Sequence, residues 1–169
     1  MATTTYIGTG EIISADYKSV KFVGKTKDNE PIIVEIEDAL NTSNIDLNAV
    51  EKNDTVAQMT FEGCYTNTDT VSSSNAEKWK ITTESTGTPS DKIMLGAGTV
   101  FIDNAPIGLT RGGSQWTVER EFREIGADGD RGAVKGRVVM ESSRAKLTIN
   151  ALTFIDKFSD LFPAVEASV

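Results

Sequence analysis

The chain has 169 residues, 38% of them hydrophobic and 25% charged, and carries a formal net charge of −8. This is the composition of one ordinary globular domain, neither disordered nor collagenous, and its acidity argues against a surface built mainly to grip nucleic acid. There is no histidine and a single cysteine, Cys64, which removes the commonest acid–base side chain and excludes an internal disulfide framework. Runs such as Val138-Val139-Met140 are far too short to cross a bilayer, so no membrane insertion is expected. Met1–Thr5 has neither the basic nor the apolar region of a secretory signal, so none is expected there.

In chain order, the first clear element is Ile32, Val34 and Ile36 alternating with Ile33, Glu35 and Glu37, a strand with one apolar face. Residues 37–42 are read as a short turn. Ala57, Met59, Phe61 and Tyr65 alternate with Val56, Gln58, Thr60 and Glu62 as a second strand. Residues 82–92 hold no large apolar side chain, so they are expected to form an exposed polar linker. Gly96-Ala97-Gly98 precedes a strand instead of opening a helix, so it is read as structural and not as a phosphate loop. Trp116, Val118 and Phe122 share a face opposite Thr117, Glu119, Glu121 and Arg123. The Gly126–Gly136 segment is a charged, glycine-rich turn; Asp128-Gly129-Asp130 lacks the terminal acid of a calcium loop. Ala145, Leu147, Ile149 and Ala151 mark another alternating strand, and Phe154, Phe158, Leu161 and Phe162 form a helical stripe ended by Pro163. Turn chemistry at 27–31 and 51–54 separates the earlier strands. The expected fold is all-β: a sandwich or barrel of two packed antiparallel sheets, with one short flanking α-helix at about 154–162.

Catalysis is not expected. The carboxylates near Glu119 and Glu121 alternate with Arg123 on one strand face, which is an arrangement for ion pairs and not for a cleft with one raised pKa. No cofactor or metal site is expected either. The sharper signal is distribution. Nine of the fourteen glycines lie between Gly96 and Gly136, and all six arginines lie between Arg111 and Arg144. Residues 1–84 carry 7 lysines against 14 acids, whereas residues 85–169 carry 10 basic and 11 acidic groups. Strands so dense in charge are read either as a solvated hairpin or as an interface where copies exchange Arg–carboxylate pairs. The interface candidates are Arg111, Glu119, Arg120, Glu121, Arg123, Asp128, Asp130, Arg131, Lys135 and Arg137.

The runs Gly96–Phe101, Ile107–Gly113, Glu119–Arg123 and Asp128–Gly136 together resemble the major tail tube proteins of long-tailed, non-contractile bacteriophages, which show a "GAG", an "xTRGG", an "ERExR" strand and a "DGxRGxVKG" loop in this order. Gly8–Tyr17, Val20–Lys25, Pro31–Leu40 and the stretch from Lys52 to Trp79 are similar to later strands of that family. The order departs from the family: residues 1–81 resemble its C-terminal half and 93–169 its N-terminal half, joined through 82–92 as in a circular permutation. The whole chain, 1–169, is read as one domain. The resemblance implies a structural virion protein, made in the host bacterial cytoplasm, whose hexameric rings stack into a hollow tube that conducts DNA. It also implies tape measure, tail terminator and distal tail proteins as partners, and DNA in transit without sequence-specific binding. Acids lining such a lumen would repel phosphate over a Debye length of about 10 Å, and Glu35, Glu37 and Glu62 are the candidates. Two other readings compete: the inner tube of a contractile tail or injection system, and a monomeric β-sandwich module binding carbohydrate. With 7% aromatic residues, and most of these, Trp116 and Phe122 included, expected on core faces, the last lacks an aromatic platform.

Overall fold

The computed structural model describes residues 4–27, 29–46, 55–65, 77–83, 94–129, 131–132, 134–152 and 158–168, with residues 94–97 as backbone. The elements are β1 (Thr5–Gly8), a 3-10 turn (Ser14–Asp16), β2 (Lys18–Thr26), β3 (Pro31–Asn41), β4 (Ala57–Gly63), β5 (Trp79–Thr83), β6 (Met94–Ile102), β7 (Ala105–Pro106), β8 (Thr110–Glu124), β9 (Val138–Ala151), α1 (Phe158–Leu161) and β10 (Val165–Ser168). Every strand pairing among them is antiparallel. The large sheet runs β7-β6-β2-β3-β4-β9-β8 with β5 added to β3, while β1 and β10 form a separate two-stranded sheet. The chain is an all-β sandwich with one short flanking helix.

Period-two alternation builds the core. Val34 and Ile36 on β3, Ala57, Met59 and Phe61 on β4, and Ala145, Leu147, Ile149 and Ala151 on β9 are all buried. They meet Val20, Phe22, Val100 and Ile102 from β2 and β6 in one continuous cluster. The two layers are tied across their mouth by Trp79 of β5, which meets Trp116 of β8 edge-on with centroids 5.5 Å apart.

β3 makes the corner between the layers. Its first half pairs with β5 from Ile32↔Thr83 to Ile36↔Trp79, and its second half pairs with β4 at Ala39↔Gly63 through Asn41↔Phe61. Between them Asp38 takes a left-handed φ of 48°, and the register with β2 shifts between Lys18 and Val20. A bulge of this kind lets a strand change partners without losing its ladder. The turn expected over residues 37–42 is therefore a bend within a strand: the polar signal at Asp38 marked the kink. Likewise Thr82 and Thr83, assigned above to the linker, end β5 opposite Ile33 and Ile32; residues 84–92 lie outside the described residues.

On β6, Gly98 stands where a Cβ would come within 2.7 Å of the Val23 carbonyl and collide with the Phe22 ring. The glycine lets that ring lie flat over the β2–β6 pair, so the Gly96-Ala97-Gly98 run is structural.

Of the helix expected at about 154–162, the structure describes Phe158–Leu161, and Phe154 falls outside the described residues. Phe158, Leu161 and Phe162 are buried as the stripe requires. The side-chain amide of buried Asn41 donates to the Leu161 carbonyl at 2.7 Å, satisfying a helix-end acceptor that water does not reach. Phe158 also packs on Tyr6 of β1, centroids 5.5 Å apart.

These contacts define two ends of the body. At the base lie the starts of β2, β4 and β8, the ends of β3, β6 and β9, the helix, and the β1–β10 pair. The loop before β2 belongs here too, because Asp16 accepts from the Ile13 amide at 2.8 Å and from the Ala164 amide at 3.4 Å. At the opposite end, β4 accompanies β9 only from Ala151 to Lys146, but β8 follows β9 outward to Glu124↔Val138. The outermost eight residues of β9 have a sheet neighbour on one side only, and the five of them past buried Ser143 stand clear of the body. At ~3.3 Å per residue they make an arm roughly 16 Å long beyond the body, before its loop at 125–137.

Candidate interaction surface on the projecting hairpin

The two faces of the arm differ in kind. Trp116, Val118, Arg120, Phe122 and Glu124 continue the core face, opposite Leu147, Ala145, Ser143, Met140 and Val138. Inside the body this face is covered; past Ser143 it is not. On it Phe122 is 59% exposed, and Met140 and Val138 are each at least 41% exposed, while Val139, also 41% exposed, lies on the other face opposite Arg123. This corrects the expectation that Phe122 sits in the core. Its alternation is right and its face is the core face, but the hairpin has outrun the neighbours that would cover it. Tyr65 departs similarly, lying beyond the end of β4 and 47% exposed.

The other face is polar and largely closed by its own ion pairs. Lys146 holds Glu119 at 2.9 Å, and Ser142 donates to Glu121 at 2.9 Å. Arg123 pairs with Glu141, which the bulge between Glu121 and Phe122 brings alongside it. Arg120, on the core face, lies over the Trp79 ring, 5.7 Å from its centroid. Asp128, Arg131, Lys135 and Arg137 belong to the loop, which is anchored by Ile125 donating to the Arg137 carbonyl at 2.8 Å. Asp130 lies outside the described residues. Arg111 stands apart from this group, at the other end of β8, in the bulge whose Gly112 and Gly113 take φ of 83° and 85°. The structure thus brings eight of the ten charged candidates onto one hairpin, and the charges on the arm's polar face are mostly engaged within the chain. What reasoning from the residues missed is the apolar stripe beneath them. A usable signal existed: Val138-Val139-Met140 and Ile125 break alternation on a hairpin far longer than β4.

The three acids considered for a lumen do not form a common free surface. Glu35 is buried and held by Lys80 at 2.9 Å and Lys21 at 3.1 Å, and the Ser19 hydroxyl donates to it at 3.2 Å. Burial pushes the Glu35 carboxyl up, but hydrogen bonds and charge from Lys80 and Lys21 outweigh it, leaving its pKa below the ordinary value. Glu37 shares Lys80 at 3.2 Å, and the two carboxylates raise the pKa of that lysine. Glu62 on β4 is bound by Arg144 of β9 at 2.8 Å. The Cys64 thiol beside it is pushed up, first by burial and then by the Glu62 charge. Among the described residues no group of three or more acids, cysteines or histidines is placed to hold a metal ion, and no helix is long and apolar enough to cross a membrane.

No protein-family model, curated protein or solved structure matches this chain.

Proposed function

We propose that the chain is a self-assembling structural subunit, copies of which build a hollow tube of the phage tail type. The observation that carries this reading is the arm: an ordered hairpin extension whose core-continuing face is apolar and open to solvent. Contiguous exposed apolar surface of this sort marks a place where a partner sits. Arginine-rich hairpins suit such contacts, because a guanidinium meets carboxylate with two parallel hydrogen bonds and can rearrange its pairing on association. The arrangement of hexameric rings, the virion location, the tail partners and the passage of DNA follow from the resemblance of the Gly96–Gly136 motifs. The β1–β10 pairing supports the permuted order, since the ends of such a chain need to lie together. Within this reading, repulsion of DNA does not come from Glu35, whose charge is cancelled by two lysines.

The test is assembly. The purified chain, followed by light scattering on a sizing column and by negative-stain electron microscopy, should form rings or tubes. Charge reversal at Arg120, Arg123 or Arg131 should impair this while leaving the subunit folded. A strictly monomeric parent chain across the accessible concentration range would refute the proposal.

A further inference from the structure

The exposed apolar side chains are not scattered. Of the thirteen large hydrophobic residues exposed among the described residues, eleven lie at the two ends of the molecule. Five are on the arm: Phe122, Ile125, Val138, Val139 and Met140. Six are at the base: Ile7, Ile12, Ile13, Tyr17, Ile45 and Leu109, the last 66% exposed. Next to them, Ile102, Ile107 and Leu161 floor a cleft of about 200 Å³ rimmed by Lys18, Asp103 and Asp160.

Charge follows the same division. The arm and its loop, residues 120–141, contain five basic and five acidic side chains, and the loop 125–137 alone has three basic against two acidic. Among the described residues the base gathers Glu11, Asp16, Asp46, Asp103, Asp160 and Glu166 against the cations Lys18 and Arg111. In a chain of net charge −8, most surfaces repel a second copy. The arm is neutral overall, with its positive surplus at the tip, so it can approach the acidic base without that penalty.

We infer that the receiving surface for the arm is the base of the next copy: the Ile7, Ile12, Ile13 and Leu109 patch with the Asp103–Asp160 cleft. This rests on the self-assembly reading and adds to it the identity of both contact surfaces. The two patches are different and lie at opposite ends, so the contact is heterologous. Each bound copy presents a fresh arm or a fresh base, and growth has a direction.

Two defective chains test this. F122D/M140D spoils the arm and keeps the base; I12D/I13D spoils the base and keeps the arm. All four positions are exposed, so both variants should stay folded, F122D/M140D melting slightly below the parent because its two aspartates face each other across the strands. Each alone should stay unassembled. Mixed, the intact arm of one should meet the intact base of the other, doubling the average mass in a one-to-one complex that does not elongate. Failure of the mixture to associate, while the parent chain assembles, overturns the inference and leaves the tube reading standing. A parent chain that never assembles overturns both. As an independent measurement, carbodiimide treatment of assembled parent chains, half of them isotope-labelled, should join Lys135 of one copy to Glu11, Asp160 or Glu166 of another. Inter-copy links confined to arm with arm would also overturn it.

Discussion

Truncating Phe122 to alanine separates the energetics of assembly from those of folding. A phenylalanine side chain presents roughly 200 Å², and Phe122 is 59% exposed, which leaves about 120 Å² for a neighbouring copy to cover. At ~25 cal/mol per Å² that surface is worth about 3 kcal/mol per contact, or close to a hundredfold in concentration. Within the lone subunit the same side chain mainly faces Met140 across the hairpin, a cross-strand pair worth about 0.2–1 kcal/mol. F122A should therefore raise the lowest concentration at which assemblies form by about two orders of magnitude, while urea unfolding of the monomer shifts by less than ~1 kcal/mol. Sedimentation velocity over a dilution series reads the first quantity, and a fluorescence melt reads the second. An unchanged assembly threshold, or a monomer that loses several kcal/mol, would show that the ring is buried within its own subunit and that the arm is no docking element.

Three further outcomes follow from the body. G98A should destabilise by about 1–3 kcal/mol in chemical denaturation, because the new methyl collides with the Phe22 ring and the Val23 carbonyl; a neutral substitution would contradict the close approach. N41A should cost about 1–3 kcal/mol, since it strands the buried Leu161 carbonyl that Asn41 serves at 2.7 Å, and the loss should appear as faster amide exchange at the helix and β10. Glu35 has a folded-state pKa below its unfolded one, so its stabilisation is complete above the ordinary carboxylate value, about 4.3, and fades as pH falls through the lowered one. E35Q should consequently melt below the parent at pH 7, with the gap narrowing steadily below pH ~4; a gap independent of pH would exclude the ion-pair account.

The strands that line the core could be read from alternation alone, because burial on one face is a local property of Ile32–Ile36, Ala57–Phe61 and Ala145–Ala151. The errors share a different origin. Whether Phe122 is covered depends on how far β4 runs beside β9, and nothing within residues 116–124 encodes that. Glu35 was read as a surface acid by its type, yet Lys21 of β2 and Lys80 of β5 flank it from both sides and make its burial tolerable. The kink at Asp38 looked like a turn because left-handed backbone and polar side chains go together, and only the change of partner from β5 to β4 makes it a corner. Of the interaction surface, the charged residues were evident in composition, whereas the apolar stripe needed the register of β8 on β9. The opposing surface at the base was invisible, since Ile7, Ile12 and Leu109 reach the same end of the molecule only through tertiary pairing.

Thr5 and Ser168 are register partners in the β1–β10 ribbon, so the first and last strands run side by side with their backbones about 5 Å apart. A short linker from Ser168 to Thr5 would turn the two strands into one hairpin. For the engineer, any label or cargo joined at either end emerges at one address, beside the base, where it would report on, or obstruct, the seating of the next subunit.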